Sequence, residues 1–203
     1  TDTYERLVLM FDFGNIGNGT DSSTFYFDDI YQTDPSGGLS QMDLPVTFED
    51  STVYYSLTDF EGNGPSTIEE TSSGNFARVE KNSSSGTSAG VTIGNESGFA
   101  TAIPASSSDS KMYVHAYVTS ETGSTNTGIP IRLKIENSND PTQSVETEAY
   151  TTLVDTWEVL EFDFNNGTNP PTAEINSGYT YNKASLFFNF GSAGDDQTVY
   201  YFD

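Results

Sequence analysis

Hydrophobic and polar residues alternate with a period of two in several separate stretches of this chain. Lys111–Val118 is the plainest case. Met112, Val114, Ala116 and Val118 fall on one side, and Tyr113, His115 and Tyr117 on the other. Residues 131–136 repeat the pattern, with Ile131, Leu133 and Ile135 opposite Arg132, Lys134 and Glu136. A period of two is the signature of a strand with one face buried and one face wet. Further strands are predicted at 46–49, 53–57, 77–81, 89–93, 144–151, 157–164, 184–190 and 199–202, with loop over 58–67. Short strands separated by polar turns predict an all-β protein, an antiparallel β-sandwich of jelly-roll type.

The chain also matches itself. Tyr4–Gly14 and then Phe25–Asp29 resemble Tyr181–Gly191 and then Val199–Asp203 in order and in residue type. A repeat of this length is a repeat of whole domains. It predicts a complete module over 44–203, preceded by the C-terminal hairpin of another copy over 1–32. The Pro-, Gly- and Ser-rich stretch 33–43 reads as the linker. Such a hairpin needs partners for its edges, so neighbouring copies of the module are expected partners.

Composition narrows the function. The chain has 203 residues, 30 Asp and Glu against 7 Lys and Arg, and a formal net charge of −23. A field of that sign repels nucleic acid and anionic membranes. No apolar run has the ~20 residues that a membrane span needs. There is no Cys, no HExxH, no GxSxG and no glycine-rich phosphate loop followed by Lys. With a single His besides, the chain is expected not to be an enzyme.

Leu44–Asp50, Gly98–Ala100, Gly128–Glu136, Lys183–Gly191 and Tyr201–Asp203 together resemble the jelly-roll carbohydrate-binding modules of families four and twenty-two. Those are the non-catalytic, often tandem modules of bacterial secreted polysaccharide-degrading and surface glycan-binding proteins. The chain departs from their pattern near Ser88, where a Trp is usual. The resemblance implies an extracellular or cell-surface protein that binds polysaccharide. It also implies a structural Ca²⁺ held by Glu49, at the end of the unit's first strand, and by Asp203, at the end of its last. Asp50, Asn75 and the carbonyl of Lys81 are additional candidates. A hard cation of this kind takes ~6–8 oxygens, so two strand-end acids need such company, and otherwise remain ordinary solvated carboxylates.

Two triplets on successive strands are the candidate glycan contacts, read together as one polar binding face. Tyr113, His115 and Tyr117 offer rings to stack on sugar faces, and Arg132, Lys134 and Glu136 offer hydrogen bonds to hydroxyls. The same pattern also fits ordinary cross-strand pairing on a solvent face. Trp157 is expected in core or edge packing. A second functional reading stays open beside glycan binding. In it the chain is a structural repeat of an extracellular stalk, adhesin or filament with no glycan of its own.

Overall fold

Among the described residues twelve strands are joined by turns, and the chain passes repeatedly from one sheet to the other. They are β1 (Ser40–Gln41), β2 (Val53–Tyr54), β3 (Leu57–Phe60), β4 (Thr67–Thr71), β5 (Gly74–Glu80) and β6 (Gly90–Ile93). After them come β7 (Lys111–Val118), β8 (Pro130–Asn137), β9 (Asp140–Tyr150), β10 (Glu158–Asp163), β11 (Lys183–Phe188) and β12 (Val199–Phe202). The computed structural model describes residues 38–94, 97–120, 127–166, 174–195 and 198–203, all within the compact unit Gly38–Asp203. The hairpin expected over 1–32 lies outside the described residues. No helix occurs among those described.

Sheet one has the order β10-β7-β12-β5-β4, and sheet two the order β3-β6-β11-β8-β9. Every pairing within them is antiparallel. From β5 to β8, and again from β9 to β12, each strand lies in the other sheet from the strand before it. This is the jelly-roll β-sandwich that the alternation predicts. The core between the sheets is built from the inward half of each alternation. Ala77 and Val79, Ala116 and Val118, and Tyr200 and Phe202 come from sheet one. Ile131, Leu133 and Ile135, and Leu186 and Phe188, come from sheet two. Phe188 stacks on Tyr200 across the gap with ring centroids 4.9 Å apart.

Several boundaries differ from those the sequence suggests. Residues 38–43, read as linker, already belong to the unit: β1 pairs in parallel with β2, and Met42 is fully buried in the core. Residues 46–49 are not a strand. Phe48 has φ +56°, a left-handed backbone that breaks an extended run. The turn carries its ring inward against Tyr55 and Phe202, at 5.2 and 5.7 Å. Phe60 and Thr67, read as loop, end β3 and begin β4.

Lys81 fastens the two sheets at one end. It follows β5 of sheet one, and its ammonium is buried. Nζ donates to the carbonyls of Phe188 and Asn189, each at 3.0 Å, at the end of β11 in sheet two, and to that of Thr87 at 3.4 Å. Burial holds its pKa below the usual lysine value, and the charge of Glu61 opposes that only in part.

Candidate functional site

The two predicted triplets lie on opposite sides of the sandwich. Tyr113, His115 and Tyr117 are on β7, on the outward face of sheet one. Arg132, Lys134 and Glu136 are on β8, on the outward face of sheet two. They therefore do not form one surface. The alternation assigns each residue's side within its own strand correctly. It says nothing of the step from β7 to β8, which crosses between sheets.

The face of sheet two is built in rows that run across its strands. One row is Thr58, Thr92, Ser185, Lys134 and Glu146, one residue from each of the five strands. The hydroxyls of Thr92 and Ser185 are 2.9 Å apart. Alongside it, Phe187, Arg132 and Glu148 occupy successive strands. Phe60 packs edge-on against Phe187 at 5.2 Å, and Phe187 against Phe190 at 5.8 Å. Gly90 pairs with Phe60. A Cβ there would meet Leu186 O at 2.3 Å and Phe60 Cζ at 2.8 Å, so the ring can lie over this strand only because the residue is glycine.

Charges are locked into the same face. Arg132 Nε and Nη2 donate to one oxygen of Glu148, at 2.9 and 2.5 Å, while Nη1 donates to Glu146 at 2.9 Å. The guanidinium also lies over the Phe190 ring, 3.5 Å from its centroid. Glu136 accepts from Lys134 and, at 3.0 Å, from Lys183. Burial alone would raise the Glu136 carboxyl, but the two lysines outweigh it and hold its pKa below the usual glutamate value. Arg132 and Glu136 point outward yet are almost fully covered by these partners, at 7% and 6% exposure. The six side chains carry three positive and three negative charges. Three of the chain's seven Lys and Arg are thus spent on one face, leaving it neutral in a chain of net charge −23.

The face of sheet one is different. Tyr113 is 60% exposed and its hydroxyl donates to Glu161 at 3.2 Å. His115 is exposed, and its backbone exchanges hydrogen bonds with Asp203 at 2.9 and 3.0 Å. Tyr117 is half-buried among other rings. Burial raises its phenol pKa, and the nearby Asp155 and Tyr201 add to the shift. Trp157 is 39% exposed and packs beside the edge strand β10, against Phe76 and Tyr117.

The predicted cation ligands separate into those that meet and those that do not. Asp203 and Glu49 are near neighbours. Burial raises the Asp203 carboxyl above its usual range; the His115 charge opposes this, and the Glu49 charge adds to it. Glu49 Oε1 accepts the Asn75 amide at 2.7 Å, and Asn75 Nδ2 donates to the Phe48 carbonyl at 3.0 Å. Asp50 turns elsewhere: one of its oxygens accepts the amide and the hydroxyl of Thr52, at 2.8 and 2.7 Å, which lowers its pKa. Lys81 lies past the far end of β5 from Asn75, ~20 Å along an extended strand. Its carbonyl accepts the Asp195 amide, so it cannot join Glu49. Among the described residues no three His, Cys, Asp or Glu side chains gather as a metal cluster.

An apolar cleft of about 750 Å³ opens between the sheets, lined in part by Met112, Val114, Leu133, Leu186 and Phe202, with His115 and Asp203 also on its wall.

No protein family and no curated protein matches the chain. Among solved structures, it is similar to the family 11 carbohydrate-binding module of the cellulosomal cellulase Lic26A-Cel5E of Clostridium thermocellum. The two share 10% identity over 81% of this chain and 92% of that one, with a TM-score of 0.43.

Proposed function

We propose that the unit is a non-catalytic, extracellular carbohydrate-binding module that takes a polysaccharide on the outward face of sheet two. One observation carries this reading: a row of rings and a row of hydroxyls and charges run side by side across that face. A pyranose has the same two-sided character, with C–H faces that suit Phe60 and Phe187 and hydroxyls that suit Thr92, Ser185, Lys134 and Glu146. The ion pairs fix the polar groups in place before a ligand arrives, so less side-chain entropy is lost on binding.

A structural Ca²⁺ between Glu49 and Asp203 belongs to the same reading. The pair fits a cation, because the Glu49 charge raises the cost of charging Asp203 and a divalent ion relieves it. Backbone carbonyls and water would complete the shell in place of Asp50. The ion would stabilise the folded state by mass action.

The test is a panel of neutral and acidic polysaccharides, with calcium and with chelator, using the full chain and Phe187→Ala. We expect retention on at least one neutral polysaccharide, weakened about fivefold or more by Phe187→Ala, since one stacking ring is worth ~1 kcal/mol or more. Flat signal across the panel would overturn glycan binding and favour the stalk reading.

A further inference from the structure

The outward face of sheet one carries a closed cycle of four aromatic rings that the reading above does not use. Phe76 (β5) meets Trp157, just before β10, at 5.5 Å and Tyr201 (β12) at 5.4 Å. Tyr117 (β7) meets the same two rings, at 5.6 and 5.7 Å. The rings come from, or lie beside, four adjacent strands, and lean together over the sheet into a short ribbon in which each ring touches two others. None of the four is in the core. Their neighbours Ala77, Ala116, Tyr200 and Phe202 take the inward positions. Val159, 57% exposed and opposite His115, and Tyr113, 60% exposed, extend the apolar ground beside them.

Rings gathered on a solvent-facing sheet mark a contact surface more often than lone exposed ones do. The charges around them select the occupant. Arg78 pairs with Glu69 at 3.4 Å and with Glu80, and Lys111 pairs with Glu161 at 2.6 Å. Both cations of this face are therefore already committed, and the remaining acids, among them Asp163 and Asp203, leave it negative. A second copy of a chain of net charge −23 would be repelled, as would an acidic polymer. A neutral ligand with apolar flat faces and hydroxyl edges meets no such barrier. The Tyr117 and Tyr201 hydroxyls and the Trp157 N–H supply polar contacts at the margins of the rings.

We propose that this ring ribbon is a second, independent glycan-contact surface, which takes a neutral polysaccharide by stacking while sheet two holds its own chain. The proposal rests on the glycan reading for the class of ligand only. With a site on each side, one module would bridge two polysaccharide chains, gaining avidity on a dense or insoluble substrate.

Trp157 is the chain's only Trp, so its emission reports on this face alone. The full chain is titrated with soluble β-glucan, mannan and xylan. In parallel, its partition onto insoluble cellulose and mannan is measured beside Trp157→Ala, Tyr117→Ala and Phe187→Ala, each checked for a native unfolding midpoint. We expect Trp157 emission to shift with at least one neutral glycan. Trp157→Ala should cut insoluble-substrate partition at least tenfold while soluble binding through sheet two persists. Loss in Phe187→Ala with full partition in Trp157→Ala, and no emission change, overturns the proposal and leaves the sheet-two reading standing. Loss in Trp157→Ala alone supports the proposal and removes the sheet-two site. Binding to none of the glycans removes both. A concentration-dependent dimer abolished by Trp157→Ala would also overturn the proposal, since it makes the ribbon a self-contact.

Discussion

The two outward faces come from the same strand chemistry and solve opposite problems. Sheet two spends three of the chain's seven basic residues on one strip, where Arg132, Lys134 and Lys183 alternate with Glu136, Glu146 and Glu148. Sheet one gathers Phe76, Tyr117, Trp157 and Tyr201 and leaves a negative rim. One face is held by charges that cannot be removed singly, the other by rings that can. The difference predicts that sheet two is structurally fragile to polar substitution, and that sheet one tolerates change while losing contact area.

The sharpest way to break the comparison is Arg132→Ala. The guanidinium is almost fully covered, and it is the partner of both Glu146 and Glu148. Removing it leaves two partly buried carboxylates facing each other and strips the Phe190 ring of its cover. Breaking a covered ion pair from one side costs ~3–5 kcal/mol, so urea unfolding should show a loss near ~3 kcal/mol. Trp157→Ala, on the exposed ribbon, should lose less than half as much. Equal losses would mean that the two faces are not built on different principles.

Next in size is Lys81→Met, which tests the fastening between the sheets. It removes the donor to the Phe188 and Asn189 carbonyls, and a buried acceptor left without a partner costs ~1–3 kcal/mol. The pH dependence carries a definite sign. Burial lowers the Lys81 pKa, so between its folded value and 10.5 the unfolded chain binds more protons than the folded one. Stability contributed at this site therefore rises with pH through that window. The stability gap between wild type and Lys81→Met should widen in favour of wild type as pH is raised toward 10.5. A gap independent of pH would place the ammonium in solvent.

How much of this was legible in the sequence follows from what a period of two can encode. The alternation of Lys111–Val118 puts Tyr113, His115 and Tyr117 on the wet side, and the structure keeps them there. It cannot encode which sheet a strand enters, so residues on β7 and β8 seemed to share a surface and do not. Phe48 shows a second limit. Residues 46–49 look like a strand, but a left-handed backbone at a core aromatic is dictated by tertiary packing against Tyr55 and Phe202. Trp157 shows a third: its two ring neighbours, Phe76 and Tyr117, lie on separate strands brought together by strand order alone. The neutrality of sheet two was partly visible as a concentration of Lys and Arg. The acids that answer them, Glu146 and Glu148, were not singled out, because a chain with 30 acidic residues hides them.

A smaller effect is expected at the end of β12, the central strand of sheet one, where Asp203 lies near Glu49. Burial, with Glu49 adding to it, raises the Asp203 carboxyl, so the folded chain binds more protons than the unfolded one just above pH 3.8. Stability at this site is therefore highest at low pH and falls as pH rises through the raised value. Asp203→Asn removes that cost, and in chelator at neutral pH it should raise the unfolding midpoint slightly. If calcium occupies the pair, the same substitution should lower the midpoint relative to wild type once calcium is added. A variant that is no more stable in chelator, or that gains as much from calcium as wild type does, would remove the site.

The smallest effect is the most discriminating between the faces, because the same chemical change is made on each. Lys111→Met on sheet one removes the partner of Glu161, and Lys134→Met on sheet two removes one partner of Glu136. Lys111 and Glu161 are both nearly half exposed, whereas Glu136 is 8% exposed at its side chain. An exposed pair gains little from its Coulomb attraction, because water and salt screen it and two long side chains must be held still. Lys111→Met should therefore leave the unfolding midpoint within error of wild type, in low salt and in high salt alike. Lys134→Met leaves Glu136 with Lys183 alone and should raise the pH at which acid unfolding begins, since the lowered Glu136 pKa depends on both lysines. Matching midpoints and matching acid transitions for the two variants would mean that the charges of sheet two are as solvated as those of sheet one, and the case for a pre-ordered polar strip would go with them.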